Sequence, residues 1–170
     1  MNAIQRSQKT LKAFRLLKAG FKTSIIVNDT GLKPDYIRSL TKELENVQLK
    51  GGQLPEAKAI LNTHFASIEG YAFLSTYLTL TTKQTSNHLD LDVLARAYQL
   101  YIKIRNQCEL CKSSNTSAID INEAWVLLRS FKINNIVFHR CRHCYNHFII
   151  PADKQPNATC PFCYLKRKVS

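Results

Sequence analysis

The 170-residue sequence holds no run of eighteen apolar residues, so no segment is expected to span a membrane. Its opening, Met1-Asn2-Ala3-Ile4-Gln5-Arg6, lacks the apolar stretch of a secretory signal. A cytoplasmic, reducing setting is therefore expected, which disfavours disulfides. Also missing are an H-E-x-x-H motif, a glycine-rich phosphate loop, a clustered carboxylate pair and a legible βαβ unit. Their absence removes the usual grounds for metal-assisted hydrolysis, phosphoryl transfer or thioredoxin-like redox work, and no enzymatic activity is expected.

Acidic residues are scarce as well: 12 Asp and Glu stand against 24 Lys and Arg, a net charge of +12. The imbalance is segregated. Residues 1–50 carry 10 basic and 4 acidic groups, residues 51–130 carry 7 and 7, and residues 131–170 carry 7 and 1. Basic ends around a neutral middle suit a polyanion gripped by two separate elements. Apolar content of 45 % and charged content of 21 % are those of a globular chain with one good core and a small appendage.

What is present in excess is cysteine at metal-ligand spacing. Cys141-Arg142-His143-Cys144 is followed, after fifteen residues, by Cys160-Pro161-Phe162-Cys163. Each C-x-x-C turn aims two sulfurs at one point, and two turns complete a tetrahedral thiolate shell. The expectation is one structural Zn2+ per chain, held by Cys141, Cys144, Cys160 and Cys163. An Fe–S cluster has the same spacing, and His139, His143 or His147 could each replace a thiolate. A shell with no open position contributes folding energy, about 10–16 kcal/mol in small peptides, rather than Lewis acidity. Without metal, residues from about Phe138 onward are expected to be disordered. A third C-x-x-C, Cys108 to Cys111, lacks partners for a second metal and reads as free thiols.

The rest reads as helices. The first runs from Met1 to about Gly20, with Ile4, Leu11, Phe14, Leu16 and Leu17 on its apolar stripe. A short helix from Thr23 to Asn28, a turn at Gly31 and a third helix from Pro34 through Leu44 have the layout of a helix-turn-helix, pinned by Ile26, Val27, Leu32, Ile37 and Leu40. In that reading Asp35, Tyr36, Arg38, Ser39 and Lys42 face DNA. Gly51-Gly52-Gln53-Leu54-Pro55 breaks the pattern. The aromatic-rich stretch from Ile60 to Leu80 is too apolar for one buried face, so it is either central or covered by another subunit. His64 within it reads as a packed histidine. Lys83 to Leu89 is a polar loop, Asp90 caps a helix through Ile102, and Asp120 with Glu123 forms a capping box opening a helix through Phe131. Tyr145 to Ile150 is the expected strand of the tail. The fold class is mainly α: a helix-turn-helix-like segment over 1–50, a helical core over 51–136, and a zinc-ribbon-like tail over 137–170.

Several short matches in order make the chain resemble the FlhC family, the C subunit of the bacterial flagellar master transcriptional activator. They are Lys42-Glu43-Leu44, Leu54-Pro55, Ala97-Tyr98-Gln99-Leu100-Tyr101, Ala124-Trp125-Val126-Leu127-Leu128-Arg129, and the two cysteine pairs followed by Lys166-Arg167-Lys168. The resemblance implies a zinc-containing, DNA-binding activator that works with a smaller, FlhD-like companion in a hetero-oligomer, a heterohexamer. That complex binds promoter DNA and helps RNA polymerase transcribe flagellar and other genes. The middle helices are then the surface for the companion. Candidate DNA contacts are Arg38, Lys42, Arg140, Arg142, Lys166, Arg167 and Lys168. The alternative is a zinc-ribbon protein that binds RNA or scaffolds a complex, with Tyr145, Phe148, Phe162 and Tyr164 as stacking aromatics.

Overall fold

A computed structural model describes residues 2–44, 52–81, 89–108, 117–154 and 160–169. Cys111, most of the polar loop after Lys83 and the side chain of Lys168 lie outside the described residues. The chain forms two compact units, Met1–Gln53 and Leu54–Ser170, and their division falls inside the stretch that begins with Gly51.

The first unit is three helices: α1 (Ala3–Lys18), α2 (Thr23–Thr30) and α3 (Pro34–Glu43). Asn2 and Gln5 form a capping box at the start of α1, the Asn2 side chain accepting from the Gln5 N–H at 2.8 Å. Gly31 closes α2 in the left-handed region, at φ 67°, and its N–H bonds the Val27 carbonyl. Pro34 supplies the first turn of α3, where its missing N–H costs nothing.

These short elements place Ile26, Leu32, Ile37 and Leu40 in one core, with Val27 half-buried beside them. Helix α1 matches its expected stripe at Leu16 and Leu17 only. Ala13, Leu16 and Leu17 are buried, whereas Ile4 is 70 % exposed and Leu11 59 %. The buried face is the one containing the small Ala13, and α1 packs on α2 and α3. Tyr36 also departs from expectation. It is half-buried, its hydroxyl 3.3 Å from Thr10 Oγ1 and its ring under the Arg6 guanidinium.

The second unit is built around α5 (His64–Leu80), preceded by the one-turn α4 (Ala57–Ile60) and followed by α6 (Leu91–Gln107), α7 (Ile121–Lys132), the hairpin β1 (Ile136–Arg140) and β2 (His147–Pro151), and α8 (Pro161–Val169). Helix α5 is central: it packs against α6, α7, β2 and α8. That accounts for its all-round apolar character. Asp90 caps α6 by accepting from the N–H groups of Asp92 and Val93, and Asp120 with Glu123 forms the reciprocal box that opens α7. Inside the unit, Glu69 of α5 is buried and paired with Arg105 of α6.

The strand expected over Tyr145 to Ile150 is present as β2, His147–Pro151, and it pairs with a β1 that was not expected. The sheet is an antiparallel hairpin with Ile136 opposite Pro151 and Arg140 opposite His147, so β1 precedes the first cysteine pair. The second pair begins a helix, with Pro161 at its first position. Phe148, Ile149 and Ile150 are buried, which makes the hairpin part of the packed unit rather than a free appendage. No described helix is long and apolar enough to cross a membrane.

Candidate metal centre

The hairpin loop and the start of α8 bring four sulfurs together. Cys141 follows β1 directly, and the chain turns back through Cys144 before β2; the Cys141 N–H bonds the Asn146 carbonyl at 3.0 Å and the Tyr145 N–H bonds the Cys141 carbonyl at 3.1 Å. The N–H groups of His143 and Cys144 point at Cys141 Sγ from 3.3 and 3.5 Å. Across the site, Cys160 precedes α8 and Cys163 lies in its first turn, a short span fixed by the Tyr164 N–H on the Cys160 carbonyl at 2.9 Å.

All four Sγ atoms lie within 4.8 Å of one another. Cys141 stands 3.8 Å from Cys163, and Cys144 stands 3.5 Å from Cys160. Sulfurs bound at about 2.3 Å around a tetrahedral ion are roughly 3.8 Å apart, so the two measured separations match the spacing of one thiolate shell. These four cysteines are not disulfide-bonded. Cys141 and Cys160 are buried among Phe148 and Ile150, with Val137 and Phe162 packed against them.

Electrostatics within the quartet are divided. The two N–H groups aimed at Cys141 bring its thiol down to about 6, whereas burial pushes Cys160 up to about 12. The Cys163 thiol is also raised, chiefly by its hydrogen bond with Cys144. Four thiolates at these separations repel one another in a dry site; a bound cation supplies the charge that lets all four ionise. The four cysteines can therefore hold a metal ion.

The nearby histidines take other roles. His139 lies edge-on to Phe148, His147 stacks on Tyr71 at 5.7 Å, and His143 is exposed on the loop. His64 of α5 packs on Tyr164 of α8, ring centroids 4.3 Å apart, which fastens the second half of the site to the central helix. Of the four candidate stacking aromatics, Phe148 is buried, Phe162 and Tyr164 are half-buried, and Tyr145 is 63 % exposed.

Arg140 and Arg142 flank Cys141 and are exposed, as are Lys166 and Arg167 on α8, one turn beyond Cys163. In the first unit, Arg38 and Lys42 are exposed on α3, and Arg38 pairs with Asp35 at 2.7 Å.

Fold and site together define a mainly helical protein with a four-cysteine cluster, able to hold a metal ion, set into its second unit. The family model "Flagellar transcriptional activator (FlhC)" matches residues 2–169, and the chain belongs to that family. The family is one of transcriptional regulators, not of enzymes. Relatives named flagellar transcriptional regulator FlhC include that of Paraburkholderia phymatum, 28 % identical over 159 residues, covering 92 % of this chain and 69 % of the relative. The protein of Sodalis glossinidius is 27 % identical over 174 residues, covering 98 % and 86 %. That of Enterobacter cloacae is 27 % identical over 152 residues, covering 89 % and 76 %.

Proposed function

We propose that this chain is the zinc-bearing, DNA-binding subunit of a transcriptional activator complex that binds promoter duplex upstream of flagellar and other genes and helps RNA polymerase start transcription there. The observation that carries the reading is the sulfur quartet flanked by exposed Arg140, Arg142, Lys166 and Arg167. An all-sulfur donor set favours zinc over hard cations, and a closed shell gives zinc a structural task. The ion then stiffens a strongly basic end of the chain into a surface that can meet phosphate.

The helix-turn-helix reading of α2 and α3 gives a second contact, through Arg38 and Lys42, and Lys168 extends the basic end. In this reading the chain acts in the cytoplasm within a hetero-oligomer, a heterohexamer, with an FlhD-like companion seated on the middle helices. The exposed Leu100 and Ile104 of α6 support that placement, being apolar and one turn apart.

The test is binding of purified chain, alone and with the companion, to labelled promoter duplex across a salt series. Affinity should fall steeply, at a slope of roughly −0.9 per neutralised phosphate. A flat salt response would favour the scaffold reading instead, and stronger binding to single-stranded RNA than to duplex would favour the RNA-binding one. Elemental analysis with X-ray absorption checks the ion, with one sulfur-only zinc per chain expected.

A further inference from the structure

The loop between β1 and β2 contains a residue whose backbone and side chain pull in different directions. Tyr145 has φ 59°, in the left-handed region where L residues with bulky side chains are disfavoured. Its own N–H to Cys141, together with the Cys141 N–H to Asn146, closes the turn and holds that conformation. Glycine or asparagine adopts it with less strain. The chain has tyrosine there instead, and with 63 % of it exposed the ring adds little to the core.

What the ring does touch is Arg140. The guanidinium carbon lies 5.1 Å from the Tyr145 ring centroid, and Arg140 Nε donates to the Tyr145 carbonyl oxygen at 3.4 Å. One face and one edge of the guanidinium are thus braced by the same residue. Neither contact engages the paired terminal nitrogens, Nη1 and Nη2, which form the fork that grips two oxygens of a phosphate.

We propose that Tyr145 is a positioning residue that holds Arg140 ready to take a backbone phosphate of duplex DNA. The inference rests on the DNA-binding reading above and assigns the ligand of one of its arginines. Phosphate suits the site better than a base edge, because Arg142, Lys166 and Arg167 make this end of the unit broadly cationic and a broad cationic surface follows a polyanion. The strained tyrosine is retained for orientation, as strained loop residues at binding sites often are.

The experiment uses the full chain assembled with its companion and titrated against promoter and scrambled duplexes. Tyr145→Gly and Tyr145→Phe are made in the native and Arg140→Gln backgrounds. Tyr145→Gly should weaken binding about three- to fivefold on both duplexes, the range of an exposed cation–π contact. Tyr145→Phe should stay near wild type. Arg140→Gln should lower the salt slope by about 1, and Tyr145→Gly should have no further effect in that background.

The glycine variant should keep its metal and its thermal midpoint, since it relieves the left-handed strain. The proposal is overturned by an equal loss with and without Arg140, by no loss, by a loss confined to the promoter duplex, or by a glycine variant that loses its metal or melts early. If the wild-type complex fails to bind duplex at all, the DNA-binding reading itself fails and takes this inference with it.

Discussion

Gly70 of α5 faces Ile149 of β2 so closely that a Cβ at position 70 would overlap Ile149 Cδ1 and lie 3.2 Å from Ile149 Cγ1 and Leu127 Cδ1. Both neighbours are fully buried, so neither can swing aside into solvent. This glycine is in a helix interior, where alanine would ordinarily stabilise by about 0.5–1 kcal/mol. Overpacking of a tight core costs about 1–3 kcal/mol and should outweigh that gain. Gly70→Ala is therefore expected to destabilise by about 1–2 kcal/mol, read as a lower denaturant midpoint at unchanged slope. A variant as stable as wild type would show that β2 does not sit on α5 this closely.

The same contact changes what metal removal should do. From the sequence alone, everything after about Phe138 depends on the ion. In the structure Phe148, Ile149 and Ile150 are buried, and each large apolar side chain contributes roughly 1.5–3 kcal/mol by leaving water. Chelation should therefore release α8 and the two cysteine turns while the hairpin stays docked. Amide hydrogen exchange provides the check. Protection at 161–169 is expected to vanish with chelator, and protection at 148–150 to persist. Loss of protection throughout 136–169 would mean that the ion alone holds the tail.

Much of this was readable because caps and turns are set by residues close together in sequence. Asp120 with Glu123, Asp90 and Pro34 each act within four residues, and each marks a helix start where expected; Gly31 lies in the expected turn but caps α2 directly, two residues beyond its expected end at Asn28. The cysteine quartet was readable for a similar reason, since a C-x-x-C turn fixes its own geometry. Packing was less legible. Of the expected stripe Ile4, Leu11, Phe14, Leu16 and Leu17, only Leu16 and Leu17 are buried, joined by Ala13, and only the positions of α2 and α3 decide which side of α1 faces inward. Strand β1 was hidden because Ile136 to Arg140 alternates weakly and pairs with residues on the far side of the cysteine loop. Helix α8 did carry a local sign, Pro161 at a first helical position, which the cysteines on either side obscured.

Tyr98 gives the fold a pH limit on the alkaline side. Its hydroxyl donates to the Ile119 carbonyl at 3.1 Å, and burial, reinforced by Asp120 and Glu123, pushes its pKa up to about 12. Tyr101 is shifted the same way by burial and Glu69. The folded state thus favours the neutral phenol. The stabilisation is fully present below the ordinary tyrosine value of about 10 and is lost as pH rises from there through about 12. Tyr98→Phe should lower stability near neutral pH by about 1 kcal/mol, through the lost hydrogen bond, yet show a shallower decline on the alkaline side. Denaturant midpoints measured at several pH values separate the two effects. Parallel curves for variant and wild type would place Tyr98 outside the linkage.

Glu69 and Arg105 form an ion pair whose side chains are 5 % and 13 % exposed, between the two longest helices of the second unit. Removing one partner strands the other charge in a poorly solvated site, which typically costs about 3–5 kcal/mol. Removing both leaves no stranded charge, and the attraction lost is largely offset by the desolvation avoided. Glu69→Leu and Arg105→Leu should each destabilise strongly, and the double variant should be more stable than either alone. A double-mutant cycle with a large coupling of that sign is the expected result. If the two losses instead add, the charges are hydrated well enough to act independently, and the pair contributes nothing to how α5 and α6 are held in register.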